Sequence, residues 1–295
     1  MFRIVFHKVF IIHDKLCRQG LFYFNVYGTG TISIIYEDYY KYDKYQKGDL
    51  RMYTGNYECL ELFVKPDEGK KGSVLLKNVK ESTTETKEPK HIYGNWIKFP
   101  VSRNTEYEIS TQDCTITFAY LSECENIMEN GICVLDTTDN YKEMNKEEFL
   151  HFIDTPYREQ YHFSPVVNWN NDPNGLCWFK GYYHLFYQMN PFGQEWNNMY
   201  WGHAASKDLV HWTHLPVVLE PQEEILDNLA IKGGAFSGSA LPMGDEVYFY
   251  LTRHIGPQDD GWDTIQYQTM TKSSDMIHFE PEKEIIREKP EGTNY

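Results

Sequence analysis

The chain has 295 residues and a formal net charge of −15, with 41% hydrophobic and 16% aromatic residues. This acidity argues against nucleic acid or an anionic membrane as a partner, since either would require a basic patch. No apolar run approaches the length of a membrane span, and the length predicts two domains.

The N-terminus and the cysteines both bear on the cellular compartment. The opening stretch MFRIVFHKVFIIHDK is interrupted by His7 and Lys8 and lacks a small-residue cleavage site, which favours a first strand over a signal peptide. The six cysteines show no metal-site spacing, and we expect free thiols. The histidines lack HxxxH spacing, so no metal and no cofactor is expected. We therefore expect a cytoplasmic protein, and an extracellular location stays open.

Residues 1–155 are predicted to form a β-sandwich-like domain. The polar run 81–90 is interpreted as a connection, a short helix is predicted over 142–151, and 154–158 is interpreted as the linker into the next domain. Five segments alternate in the manner of strands, at spacings typical of a sandwich. These segments are 31–36, 60–64, 73–76, 96–99 and 114–120.

Residues 156–295 are predicted to form a second all-β domain. It opens with a hairpin across Lys180 and Gly181, whose strands are rich in aromatic residues. Four later strand segments are separated by turn signals: 199–206, 235–242, 246–252 and 265–272. Units of four short antiparallel strands fit the blades of a β-propeller.

The most informative stretch is residues 169–175, WNNDPNG. The proline restricts Asp172 to extended conformations and the Asn-Gly pair predicts a tight turn, so Asp172 is expected at a strand end. A carboxylate among Asn, Gln and Trp side chains suits a sugar, whose hydroxyls need polar partners and whose C–H faces need an aromatic surface. For an isolated Asp-Pro pair, a plain turn residue beside core aromatics is the alternative interpretation.

The run as a whole resembles glycoside hydrolase family 32, which includes invertases, levanases, inulinases and sucrose-6-phosphate hydrolases. The first motif of that family is Trp-Met-Asn-Asp-Pro-Asn-Gly, and residues 169–175 depart from it only at Asn170. The resemblance covers about residues 160–295. It continues through 183–188 (YHLFYQ), 201–204 (WGHA), 206–212 (SKDLVHW) and 236–240 (FSGSA).

The resemblance implies five blades around a central pocket and retaining hydrolysis of β-fructofuranosidic bonds in sucrose or fructans. Asp172 matches the family nucleophile. The positions that line the fructose subsite in the family correspond to Asn171, Gln188, Trp196, Phe236 and Ser237. Three further matches, expected to support the first blade structurally, are His203, Asp208 and Trp212. The sequence does not distinguish sucrose, sucrose 6-phosphate, levan and inulin as substrates.

Two other acidic motifs of the family do not occur after Asp172. They are an Arg-Asp-Pro that holds fructose hydroxyls and a Glu-Cys whose glutamate is the general acid/base. The dipeptide Glu123-Cys124 precedes Asp172, in the sandwich region, and is interpreted as coincidence. We therefore expect an incomplete propeller, the N-terminal part of a longer enzyme, without efficient hydrolysis by these residues alone. The alternatives are a non-catalytic fructan-binding protein and a propeller scaffold for protein partners.

Overall fold

The computed structural model describes residues 22–26, 32–36, 50–137, 142–144, 148–149, 153–154, 158–159, 161–257 and 264–288. The chain divides into two compact units, Met1–Gly48 and Asp49–Tyr295. In the first unit, β1 (Phe22–Val26) and β2 (Ile32–Tyr36) pair as an antiparallel ladder. In the part of the chain that is described, no helix has the length and apolarity needed to cross a membrane.

The second unit begins with a sandwich of two antiparallel sheets, which contains four of the five predicted strand segments, whereas the segment 31–36 forms β2 in the first unit. Its strands are β3 (Leu50–Tyr53), β4 (Cys59–Pro66), β5 (Ser73–Asn78), β6 (Thr84–Lys87), β7 (Asn95–Pro100), β8 (Glu106–Gln112), β9 (Cys114–Ser122), β10 (Cys133–Asp136) and β11 (Lys142–Glu143), with helix α1 (Ile127–Asn130) before β10. One sheet has the order β11-β10-β9-β4-β7, and the other β3-β8-β5-β6. Leu62, Phe99 and Ile109 lie in the core between them. The domain boundary between residues 155 and 156 stays a prediction.

One local prediction in this region is wrong, and a second is wrong in part. The polar run 81–90 contains the edge strand β6, whose side chains are almost all exposed and therefore show no apolar alternation. Residues Lys142–Glu143 pair with β10 as β11, so the helix predicted over 142–151 does not begin at 142, whereas residues 148–149 within that range are helical. Most of the remaining predicted helix lies outside the described residues.

Two four-stranded antiparallel sheets follow, and in each one consecutive strands pair. Blade one consists of β12 (Trp169–Phe179), β13 (Tyr182–Asn190), β14 (Tyr200–Ser206) and β15 (Trp212–Leu219). After helix α2 (Glu223–Leu226), blade two consists of β16 (Ile231–Met243), β17 (Glu246–Pro257), β18 (Ile265–Ser273) and β19 (Lys283–Ile286). Such meanders are the units of a propeller, and the predicted all-β fold class is confirmed.

Aromatic side chains pack the two blades against each other. Phe186 and Trp201 of blade one and Phe249 of blade two are fully buried. The rings of Phe186 and Phe249 meet edge to face with centroids 5.1 Å apart, an arrangement that aromatic quadrupoles favour. The blades therefore share one hydrophobic core, and their relative position is set by large, rigid side chains.

The same turn links the third and fourth strands of both blades. In blade one, Ser206 Oγ accepts the Leu209 N–H at 2.8 Å, and Asp208 Oδ1 accepts the His211 N–H at 2.8 Å. In blade two the equivalent residues are Ser273, Met276, Asp275 and His278, with the same two distances. Asp208 thus fixes a turn, as expected of a structural support of blade one.

Two buried histidines lie on neighbouring strands of blade one. His184 is 2% exposed and His203 is fully buried, and their facing ring nitrogens, Nδ1 and Nε2, are 3.0 Å apart. Burial lowers the pKa of His184 from its ordinary value of 6.5 to about 4, and it also holds the pKa of His203 well below 6.5. Blade one therefore contains a pair of histidines that the fold keeps neutral.

This pair is expected to make the fold sensitive to acid. The unfolded chain binds a proton at His184 near pH 6.5, whereas the folded chain does so only near pH 4, so stability present above pH 6.5 is lost as the pH falls toward 4. From pH 7.5 to pH 5.0 the free energy of unfolding should fall by about 2 kcal/mol from His184 alone. Urea titrations at both pH values measure it.

A variant at a buried position and one at an exposed position separate this effect from general acid sensitivity. His184→Gln should reduce the difference between the two pH values, whereas His162→Gln, at an exposed position 3.5 Å from Glu159, should change it far less. An unaltered pH dependence in His184→Gln would contradict the assignment.

Candidate active site

Asp172 lies inside β12 and not at a strand end, so that local prediction is wrong. The ladder between β12 and β13 shifts register on both sides of the Pro173-Asn174 pair, and Gly175 adopts a left-handed conformation with φ of 53°. The Asn-Gly signal therefore produces a bulge within one strand instead of a turn between two. Bulges re-aim side chains, and β12 is an edge strand, where proline is tolerated.

The carboxylate of Asp172 receives hydrogen bonds from three side chains. Ser237 Oγ donates to Oδ2 at 2.5 Å, Gln188 Nε2 donates to the same oxygen at 3.4 Å, and Asn171 Nδ2 donates to Oδ1 at 3.4 Å. Ser237 comes from blade two, while the other two residues belong to blade one. The carboxylate is thus held at the junction of the two blades by charge-assisted hydrogen bonds.

Further hydrogen bonds orient these donors. Gln188, 2% exposed, donates from Nε2 to Ser237 Oγ at 3.1 Å and accepts from Asn171 Nδ2 at 2.7 Å. Trp169 Nε1 donates to Asn171 Oδ1 at 2.9 Å. Both carboxamides therefore direct their N–H groups toward the carboxylate. Trp169 was not predicted as a site residue, although it opens the WNNDPNG motif.

An aromatic pair lies beside this network. Trp196, in the loop between β13 and β14, meets Phe236 of β16 edge to face with ring centroids 6.2 Å apart. His254 of β17 stacks on Phe236 with centroids 4.3 Å apart, and Trp201 Nε1 donates to the Phe236 carbonyl oxygen at 3.1 Å. Because Phe236 immediately precedes Ser237 within the irregular part of β16, the aromatic pair adjoins the carboxylate.

The arrangement contains the functional groups that nucleophilic and sugar-binding chemistry requires. Asp172 is exposed and oriented, so its carboxylate is available for attack on an electrophilic carbon. The nearby amide, hydroxyl and aromatic groups are those that bind sugar hydroxyls and C–H faces. Among the described residues, no group of three or more His, Cys, Asp or Glu side chains is arranged to hold a metal ion.

All five predicted subsite residues therefore lie near Asp172 or beside one another. Asn171, Gln188 and Ser237 contact its carboxylate directly, and Trp196 and Phe236 contact each other. His254 was missed, because its position opposite β16 follows from the pairing register of β16 and β17 and no local motif marks it.

Comparison with known proteins gives a consistent family match. Residues 162–295 match the sequence model of the glycosyl hydrolases family 32 N-terminal domain. A sucrose-6-phosphate hydrolase of Zymomonas mobilis is 39% identical over 150 residues, which are 50% of this chain and 28% of that protein. A levanase of Bacillus subtilis is 56% identical over 90 residues, 30% of this chain and 12% of that protein.

A solved structure of a glycoside hydrolase family 32 protein from Bifidobacterium adolescentis has a TM-score of 0.76 and 33% sequence identity. The likeness covers 82% of this chain and 40% of that chain, so it extends beyond the family domain into the sandwich. The chain spans less than half of the length of each of these three relatives. Residues 162–295 of this chain belong to glycoside hydrolase family 32, within its N-terminal domain.

Proposed function

We propose that the protein is a glycoside hydrolase that releases terminal β-D-fructofuranosyl units from sucrose or fructans, with Asp172 as the nucleophile of a retaining double displacement. The observation that carries the proposal is the Asp172 carboxylate, held by Ser237, Gln188 and Asn171 from two adjoining blades. Membership of residues 162–295 in family 32 supports it, as do relatives named sucrose-6-phosphate hydrolase and levanase.

In the first step, a carboxylate oxygen of Asp172 forms a bond to the anomeric carbon while the bond to the leaving oxygen breaks. Ser237 binds Oδ2 at 2.5 Å, whereas Oδ1 has only the longer contact with Asn171. Oδ1 is therefore the oxygen that attacks. The carboxamides of Asn171 and Gln188 bind fructose hydroxyls, and the rings of Trp196 and Phe236 pack against the sugar.

The complete mechanism also needs a general acid/base, which protonates the leaving oxygen and then activates water. After Asp172, this sequence contains no Glu-Cys and no Arg-Asp-Pro. We therefore propose that these 295 residues form the nucleophile part of the site. They should accept a fructosyl group efficiently only from a donor whose leaving group departs without a proton.

Such a donor provides a direct test. β-D-Fructofuranosyl fluoride loses fluoride without general-acid assistance, so incubation should add the mass of one fructosyl unit to the intact protein. Peptide mapping should place that unit on Asp172. The second step, hydrolysis of the fructosyl-enzyme ester, lacks its general base, so the ester accumulates. An adduct at another residue, or no adduct in protein shown to be folded, would refute the proposed role of Asp172. Turnover of sucrose or inulin comparable to that of a full-length family member would refute the need for the missing glutamate.

A non-catalytic fructan-binding protein is the second candidate. It is favoured by one feature: within the described residues, none of the hydrogen bonds made by the Asp172 carboxylate involves a second carboxyl group. Binding of inulin by calorimetry, together with absence of the fructosyl adduct, would select this candidate over the enzyme.

A further inference from the structure

A short loop of the sandwich contacts the segment that leads out of β13. The loop comprises residues 91–94, between β6 and β7. Tyr93 Oη donates to Asn190 Oδ1 at 3.3 Å, and the Tyr93 ring meets the ring of Phe192 edge to face with centroids 5.6 Å apart. From β9 of the same sandwich, Thr117 Oγ1 donates to the Pro191 carbonyl oxygen at 2.9 Å. The sandwich therefore fixes the start of the loop that carries Trp196.

Asn190 passes this constraint directly toward Trp196. It is buried, and its Oδ1 also accepts the Phe192 N–H at 3.0 Å, while its Nδ2 donates to the Glu195 carbonyl oxygen at 2.9 Å. Glu195 immediately precedes Trp196. A single side chain thus connects the Tyr93 hydroxyl to the backbone next to the aromatic residue of the candidate site.

The same loop also holds the segment that leads into β16. The Tyr93 N–H donates to the Leu226 carbonyl oxygen at 3.0 Å. The Ile92 N–H donates to Asp227 Oδ1 at 3.1 Å, and His91 Nδ1 lies 2.9 Å from Asp227 Oδ2. This segment continues into the strand that carries the second aromatic residue of the site.

The segment that leads out of β13 and the segment that leads into β16 also contact each other, close in sequence to Trp196 and Phe236. The Met199 N–H donates to the Gly233 carbonyl oxygen at 2.7 Å, and the Gly233 N–H donates to Asn198 Oδ1 at 3.1 Å. Both segments are consequently fixed at one end by loop 91–94 and at the other by each other. Trp196 and Phe236 therefore lie on two segments that this closed set of contacts connects.

We propose that loop 91–94 of the N-terminal sandwich is a positioning element of the sugar site, and that the Tyr93 hydroxyl holds Trp196 in register with Phe236. This assigns a role to the sandwich, which lies outside residues 162–295. The inference rests on the proposed function as far as sugar binding is concerned. The positioning of Trp196 is a separate, measurable property of the protein.

Tyr93→Phe tests the inference, because it keeps the ring and removes only the hydroxyl that reaches Asn190. The protein is labelled with 5-fluorotryptophan, and the Trp196 resonance is assigned with Trp196→Phe. In Tyr93→Phe this resonance should shift or broaden without any sugar present, and the dissociation constant for sucrose should rise about fivefold. A Trp196 resonance identical to that of the unmodified protein would overturn the inference.

Tyr107→Phe is the matched control. Tyr107 is also a buried sandwich tyrosine, but it lies on β8 in the sheet that does not contain β7, and its hydroxyl accepts the Ser102 N–H at 2.9 Å. Tyr107→Phe should leave the Trp196 resonance at its position in the unmodified protein. An equal shift in both variants would indicate a general loosening of the sandwich and would overturn the inference. If Tyr93→Phe does not fold, Thr117→Val decides in the same way, by removing the bond to Pro191. Absence of sucrose binding in the unmodified protein refutes the proposed function, whereas the Trp196 resonance still decides the positioning role.

Discussion

Replacing Asp172 with asparagine should slow the formation of the fructosyl adduct by at least about 10⁴-fold. The amide cannot form the ester bond that the carboxylate forms with the anomeric carbon. The surrounding groups do not substitute for it, because the side chains that contact the carboxylate, those of Ser237, Gln188 and Asn171, are a hydroxyl and two carboxamides. The rate is measured by intact-protein mass spectrometry during incubation with β-D-fructofuranosyl fluoride.

The slower adduct formation in Asp172→Asn should not result from unfolding of the protein. Asp172 is exposed at the edge of blade one and asparagine keeps one acceptor oxygen, so Asp172→Asn should leave the protein folded and lower the free energy of unfolding by no more than about 2 kcal/mol. Asp245→Asn serves as the control, since Asp245 is an exposed aspartate in the turn between β16 and β17. That variant should acquire the adduct at the unmodified rate. Undiminished labelling of Asp172→Asn would place the nucleophile elsewhere.

Sequence patterns predicted the interior strands well and the edge strands poorly. Strand β5 alternates buried and half-buried side chains, so its pattern has the period of two that marks a half-buried sheet. Strands β6 and β19 are edge strands with nearly all side chains exposed, and nothing in their residues alternates. Their positions follow from backbone pairing with a neighbour, which an isolated segment does not encode.

The site divides in the same way into local and distant parts. Asn171, Asp172 and Gln188 come from one hairpin, and the pairing of β12 with β13 places Gln188 opposite the bulge. Ser237, 65 residues beyond Asp172, was predicted only because its motif resembles the family pattern. Tyr93 had no such motif, so its link to the site emerges only from the packing of the sandwich on blade one.

Gly238, which follows Ser237 in the FSGSA motif, explains how Ser237 reaches Asp172. A Cβ atom on Gly238 would lie 2.4 Å from the backbone oxygen of Tyr250 and 2.9 Å from the ring of Trp201. The Gly238 N–H also donates to the buried Asn174 Oδ1 at 3.3 Å, which ties β16 to the bulge of β12. Only glycine allows β16 to approach β17 and blade one this closely.

Gly238→Ala should therefore lower the free energy of unfolding by about 3 kcal/mol. The clash with the Tyr250 backbone oxygen cannot be relieved by a side-chain rotation, so β16 must move away from β17 and carry Ser237 with it. Ser239→Ala, one residue further along β16 at an exposed position, should change stability by less than about 0.5 kcal/mol. Urea unfolding measures both variants. Equal stability of the two would mean that the strand accommodates the methyl group, and Ser237 would then owe its position to other contacts.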